Sequence, residues 1–167
     1  MLKSFVVLLL SGMVLGQADV PGQFRAIKAL MPEASTVAVI LDGRGSKIEG
    51  ELGQASSENG LKVVKVPIQS IRDMAAALNA AMAHNPNFIY IEDSDGLGGK
   101  NSIKFVAKSA LKNQVPVFTT HPDALDAGAF GQMQKGDAGW TILVNGKVKD
   151  QYSIAIPDGN DRFLVQN

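Results

Sequence analysis

Three short polar clusters in this sequence gather side chains able to bind or transform a polar molecule. They are Asp42-Gly43-Arg44-Gly45-Ser46, Glu92-Asp93-Ser94-Asp95 and Thr119-Thr120-His121. Carboxylates, hydroxyls and an imidazole can ion-pair or hydrogen-bond a solute, and each cluster closes an apolar run. No catalytic set is complete among them. There is no cysteine to act as a nucleophile, and no G-x-S-x-G elbow presents a serine. His84 falls at a helix end before Asn85-Pro86, and His121 has no second histidine in metal-ligand spacing. The expectation is binding without chemistry, with no cofactor and no metal.

The glycine-rich stretch Gly96 to Ser102 (GLGGKNS) is not a phosphate loop. Ser94 stands where the first glycine belongs, and Asn101 where a Ser or Thr must follow the lysine. Asp93-Ser94-Asp95-Gly96 opens like a calcium loop, but the later ligands are absent. Asp42, Asp93, Thr119 or Thr120, and Lys135 can be aligned with the acids, hydroxyl and lysine of a phosphorylation receiver. A receiver carries a pair of acids at its first corner and works in the cytoplasm. This sequence has one acid there and an export-type leader, so that reading is set aside.

The elements that position these clusters repeat one phrase: apolar run, polar corner, amphipathic helix. The runs are TVAVILD (36–42), KVVKVPI (62–68), NFIYIED (87–93) and PVFTT (116–120). β-rich runs alternating with helices predict an α/β domain, a three-layer doubly wound sheet, mainly parallel, with strand order 2-1-3-4-5. Such sheets bind ligands beyond the carboxyl ends of their strands, where the three clusters fall.

Phe24 to Met31 reads as a helix stopped by Pro32. Ser46 is a natural N-cap for a helix burying Ile48, Leu52 and Ala55 and ending at Asn59-Gly60. Ser70 and Asp73 nearly form a capping box ahead of the stripe Ile71, Met74, Leu78 and Met82. A helix over about 102–113 buries Ile103, Val106, Ala110 and Leu111. Ala129 to Met133 reads as a short fifth strand. A C-terminal β-hairpin is expected from Trp140–Val144 and Lys147–Ile156, turning on Asn145-Gly146. Trp140, the single tryptophan, is a ligand-stacking candidate and more often a core plug beside such a hairpin. Arg162 to Val165 is strand-like.

The 167 residues suffice for one domain with a real core, and at 46% hydrophobic and 19% charged the composition is globular. Lys+Arg and Asp+Glu are equal at 16 each, so no global field recruits nucleic acid. Residues 1–18 read as a signal peptide. Lys3 is the positive region, Phe5 to Leu15 the apolar core, and Gly16-Gln17-Ala18 the small-residue cleavage site. The apolar run is shorter than the ~20 residues a membrane span needs. Export without cysteine favours a periplasmic location, with residues 19–167 as a single lobe.

KALMPEASTVAVILD, NQVPVFTTHPDALDAGAFG and VNGKVKDQYSIAIPDGNDRFLVQN together resemble the periplasmic substrate-binding proteins of ABC transporters with a type I periplasmic-binding fold. The resemblance is carried by Val115-Pro116-Val117-Phe118, Gly128-Ala129-Phe130, Asn145-Gly146, Ile156-Pro157 and Asn167. It implies one lobe of a two-lobed clamshell whose strand-end corners hold amino-acid-like solutes, partly through helix N-termini facing a carboxylate. The family's long helix between the Gly128 and Asn145 segments is lost or shortened around 131–140. The implied ligand contacts are Asp42, Gly43, Ser46, Asp93, Ser94, Thr120 and His121, and the implied partners are a small-molecule solute and a membrane permease. The alternative is a protein-interaction or sensory module that docks on a membrane sensor through its open strand-end face, with a homodimer through that face as a variant.

Overall fold

The computed structural model describes residues 18–167. All of the expected signal peptide except Ala18 lies outside the described residues. Seven strands form one sheet in the order β2-β1-β3-β4-β5-β6-β7. They are β1 (Thr36–Asp42), β2 (Lys62–Ile68), β3 (Phe88–Ile91), β4 (Val117–Thr119), β5 (Gly131–Gly136), β6 (Gly139–Asn145) and β7 (Phe163–Gln166). The expected 2-1-3-4-5 order is present and all four of its pairings are parallel. Central β1 and β3 are buried on both faces, which is why they read as unbroken apolar runs. Edge strand β2 instead alternates and carries Lys62, Lys65 and Pro67, residues that discourage further pairing.

Four helices cover the sheet: α1 (Val20–Leu30), α2 (Leu52–Asn59), α3 (Met74–Met82) and α4 (Gly99–Leu111). Val37, Val39, Leu41, Phe88, Tyr90 and Phe118 face α1 and α2. Ala38, Ile40, Ile89, Ile91 and Val117 face α3 and α4. On the first face six aromatic rings meet edge to face, five of them in a ladder across the strands and Tyr90 beside it on Phe24. Phe24 packs on Phe88, Phe88 on Phe118, Phe118 on Phe130, and Phe130 on Tyr152, with centroids 5.0–5.9 Å apart. This ladder carries the core from α1 to the C-terminal segment, and burial pushes the Tyr152 hydroxyl up to about 12. None of the described helices is long and apolar enough to cross a membrane.

Helix α1 begins four residues before the expected Phe24, because Asp19 caps it by accepting from the Gly22 N–H at 3.1 Å and Pro21 suits its first turn. Gly60 closes α2 at φ 60° as its position after Asn59 predicts. Ile71 departs from the buried stripe expected of α3. The chain there is a 3-10 turn over Ile71–Asp73, and Ile71 is 53% exposed.

The hairpin exists, but other residues form it. β5 and β6 pair antiparallel from Gly131↔Val144 to Gly136↔Gly139, turning at Asp137-Ala138 with Gly139 at φ 115°. Asn145 and Gly146 adopt no positive φ, which a type I′ turn requires. Asn145 is occupied instead: its Nδ2 donates to the Leu125 and Ala129 carbonyls at 2.8 and 3.0 Å. Residues 147–156 are not a strand, and β7 pairs parallel with β6. Where the resemblance implied a shortened helix, 131–140, the chain is this hairpin.

Candidate functional site

The carboxyl ends of β1, β3 and β4 converge, so Asp42, residues 92–95 and residues 119–121 meet along one edge of the sheet. Alternation along each strand then divides them between two sides. Asp42, in phase with Ala38 and Ile40, lies toward α3 and α4. Glu92 and Thr120, in phase with Tyr90 and Phe118, lie toward α1 and α2.

On the α4 side Asp42 is nearly buried, and its carboxylate is fully engaged. Oδ1 accepts from the Arg44 backbone N–H at 3.0 Å and Oδ2 from the Ser94 hydroxyl at 2.8 Å. These bonds, first that of the Arg44 amide and then that of Ser94, hold the Asp42 carboxyl below the usual carboxylate range. The Arg44 guanidinium lies 3.4 Å from Asp42 and remains 56% exposed, leaving donors free. Ser94 also accepts from the Gly96 N–H at 3.2 Å, which folds the β3 corner back onto the β1 corner. His121 is oriented from its own loop: its N–H donates to Thr119 Oγ1 and its Nδ1 accepts from the Asp123 N–H at 3.0 Å. That bond leaves the proton on Nε2, which points toward Gly99 at the start of α4. Asp93 is exposed beside Ser94.

On the other side Thr120 lies near the buried Tyr90 hydroxyl, which donates to Gln23 Oε1. Burial raises the Tyr90 pKa and keeps that hydroxyl neutral. Gly43 sits tightly against the end of β2, its N–H on the Ile68 carbonyl at 2.8 Å and its carbonyl on Gln69 Nε2 at 3.1 Å. Ser46 follows in the β1 corner, next to Lys47 whose N–H is held by Glu92. Its oxygen accepts from the Ile48 and Glu49 N–H groups and its proton is free to donate, but it does not cap the expected helix: α2 starts only at Leu52, after a 3-10 turn over Glu49–Glu51.

Two residues matter more here than their types suggested. Glu92 is buried and ties the whole β1 corner, accepting from the Asp42 N–H at 2.9 Å and the Lys47 N–H at 2.7 Å. Gly96 gives the corners room, since a Cβ there would overlap the Asp42 carboxylate and the Arg44 guanidinium. Its place directly after an acidic corner was the only sequence signal. Gly96→Ala should therefore destabilise the protein by about 1–3 kcal/mol in urea unfolding, because two mutually bonded side chains must move. Gly53→Ala in α2, where nothing lies within 4 Å, is the control and should stabilise by about 0.5–1 kcal/mol. Equal effects at the two glycines would refute the crowding argument.

The hollow enclosed at this edge, lined by Asp93, Ser94, Gly99 and His121 among others, is only about 10 Å³. That is scarcely room for one water. The edge is an open face with a wall at one flank. β4 stops pairing at Thr119↔Gln132, while the hairpin continues to Gly136↔Gly139, about 13 Å further. Larger concavities lie elsewhere. One of about 440 Å³ is at the opposite, amino end of the strands around Met31 and Asn87, and one of about 400 Å³ is beside Tyr152 and Val165.

Lys135, aligned above with a receiver lysine, is on the other side of the sheet from Asp42. It stacks over Trp140 at 5.8 Å and approaches Asp19 at 4.0 Å. Trp140 is a strut, half-buried against the core, and its Nε1 donates to Asp19 at 2.7 Å. Among the described residues no three His, Cys, Asp or Glu side chains are grouped to hold a metal ion.

Solved structures share this architecture. One is a conserved domain protein from Vibrio cholerae O1 biovar El Tor, with a TM-score of 0.72 and 17% identity over 89% of this chain and 60% of that one. The fold is that of a substrate-binding-protein lobe. A substrate binding protein with adhesive properties from Clostridium difficile, in its ligand-free, open form, matches with a TM-score of 0.71 and 16% identity, over 86% of this lobe and 58% of that chain. The ABC domain from Streptococcus pneumoniae in complex with L-Trp matches with a TM-score of 0.67 and 14% identity, over 83% and 58%. The chain thus spans about three fifths of the length of these structures. No family model and no curated protein matches the sequence.

Proposed function

We propose that this lobe binds a small polar, amino-acid-like solute at its strand-end face, without chemistry, outside the cytoplasm. One observation carries the reading: three corners converge on a face that displays both charge signs yet encloses almost no volume. The Arg44 guanidinium and the α4 N-terminus suit a carboxylate. The Asp93 carboxylate suits an ammonium group, and Thr120, Ser46 and the His121 Nε2–H supply neutral hydrogen bonds. A face this open holds a solute firmly only when a second surface covers it, as clefts bury most of a bound ligand. That surface must come from outside residues 18–167. A permease partner, and export through residues 1–18, belong to the same proposal.

Thermal-shift and calorimetric screening against free amino acids and related zwitterions tests it. A stabilising solute should appear, and Asp93→Ala or Thr120→Ala should each weaken its binding by about tenfold, the loss expected for one polar contact. No stabilisation across the panel, or undiminished binding by both variants, would refute it. The second reading rests on the same openness: the face docks directly on a membrane sensor or a second copy of the chain. Light scattering that shows a dimer disrupted by Asp93→Arg would favour it.

A further inference from the structure

Helix α4 carries lysine at every fourth position: Lys100, Lys104, Lys108 and, at its C-cap, Lys112. All four are exposed, and α4 contains no acidic residue. The spacing places them in one row about 18 Å long. Like charges at i, i+4 destabilise a helix, and Lys100 also opposes the positive end of the helix dipole. Among the described residues only Lys100 has a carboxylate nearby, Asp126 at 3.6 Å. Local stability therefore does not account for the row, least of all in a chain of zero net charge.

An apolar groove of about 270 Å³ runs alongside, between α4 and the start of α3, lined by Ile71, Met74, Asn101 and Phe105. Ile71 and Phe105 are 53% and 44% exposed, the two most exposed large apolar side chains among the described residues. Arg72 at its rim adds a fifth cation, opposed by Asp73. The far wall is smooth, because α3 exposes Ala75, Ala76, Asn79 and Ala80 and has no charged residue.

We propose that this flank is a docking surface for an acidic protein segment that seats one apolar side chain between Ile71 and Phe105. Charge complementarity along the lysine row orients the segment, and the groove provides its anchor. The concavity selects a protein over an anionic membrane, since a bilayer surface cannot fill a groove. The surface is distinct from the strand-end corners and does not depend on their binding a solute.

The probe is a fluorescein-labelled peptide of glutamates with one central phenylalanine, followed by anisotropy. A matched peptide with alanine at the centre, and phosphatidylglycerol vesicles, run in parallel. The phenylalanine peptide should bind saturably, weaken with added salt, and outbind the alanine peptide. Lys104→Glu combined with Lys108→Glu should weaken it by about tenfold or more. Phe105→Ala should remove the preference for phenylalanine while keeping the salt dependence. No saturable binding, binding undiminished by the double reversal, equal binding of the two peptides, or vesicle binding in place of peptide binding would each overturn the proposal.

Discussion

Phe118→Ala should cost about 3–5 kcal/mol and lower the melting temperature by about 10 °C. Phe118 is fully buried at the middle of the aromatic ladder, with Phe88 at 5.7 Å on one side and Phe130 at 5.5 Å on the other. Gly131 holds the backbone of β5 against this ring, since a Cβ there would lie 2.6 Å from Phe118 Cδ1. Truncation removes both ring contacts and opens a cavity that the rigid β3–β4–β5 pairing cannot close. For a domain stable by ~5–15 kcal/mol this is a large share. The ladder joins α1 to Tyr152, so the C-terminal segment should loosen with it. Urea unfolding gives the energy, and limited proteolysis near Tyr152 the second effect. A loss below about 1 kcal/mol would mean the cavity collapses and the ladder is not a unit. Phe118→Leu, which retains most of the volume, should lose much less.

Glu92→Ala should cost about 2–4 kcal/mol, since each orphaned buried donor costs about 1–3 kcal/mol and two lose their partner. The Asp42 N–H is buried, whereas Lys47 is exposed and water can replace part of its bond. Glu92→Gln preserves the shape but has one acceptor oxygen where the carboxylate has two, and should fall between. The same substitution frees the β1 corner that presents Arg44, so solute affinity should fall along with stability. Unfolding and calorimetry on one sample set would measure both. Wild-type stability in Glu92→Ala would show that the corner is held by its other contacts.

Much of this architecture is local in origin and therefore legible from the chain. β1 from Val37 to Leu41 and all of β3 are apolar, a pattern that a sheet covered on both faces satisfies. Gly60 acts where it stands and ends α2 as its type requires. The clusters fall at strand ends because polar residues must follow where a buried strand emerges.

What failed to be legible depends on partners distant in sequence. Asn145-Gly146 carries a strong local turn preference, yet Asn145 is recruited by carbonyls 16 and 20 residues away. The hairpin consequently forms at Asp137-Ala138, a turn with weaker local chemistry, because that register buries Met133, Ile142 and Val144. Ile71 fits the apolar period of α3, but a 3-10 turn rotates it outward. Glu92 resembled its acidic neighbours Asp93 and Asp95, and only the approach of the β1 corner makes it a strut.

By itself, then, the sequence determined the layers, the parallel order and the edge on which polar groups gather, all consequences of short-range hydrophobic period and capping. Tertiary structure alone decided which acid is structural and which is free, where the hairpin turns, and that the strand-end face is open. The reason is physical. Periodicity specifies how each element meets water and core, whereas the roles of Asp42, Glu92, Asp93 and Gly96 depend on distances between corners about 50 residues apart.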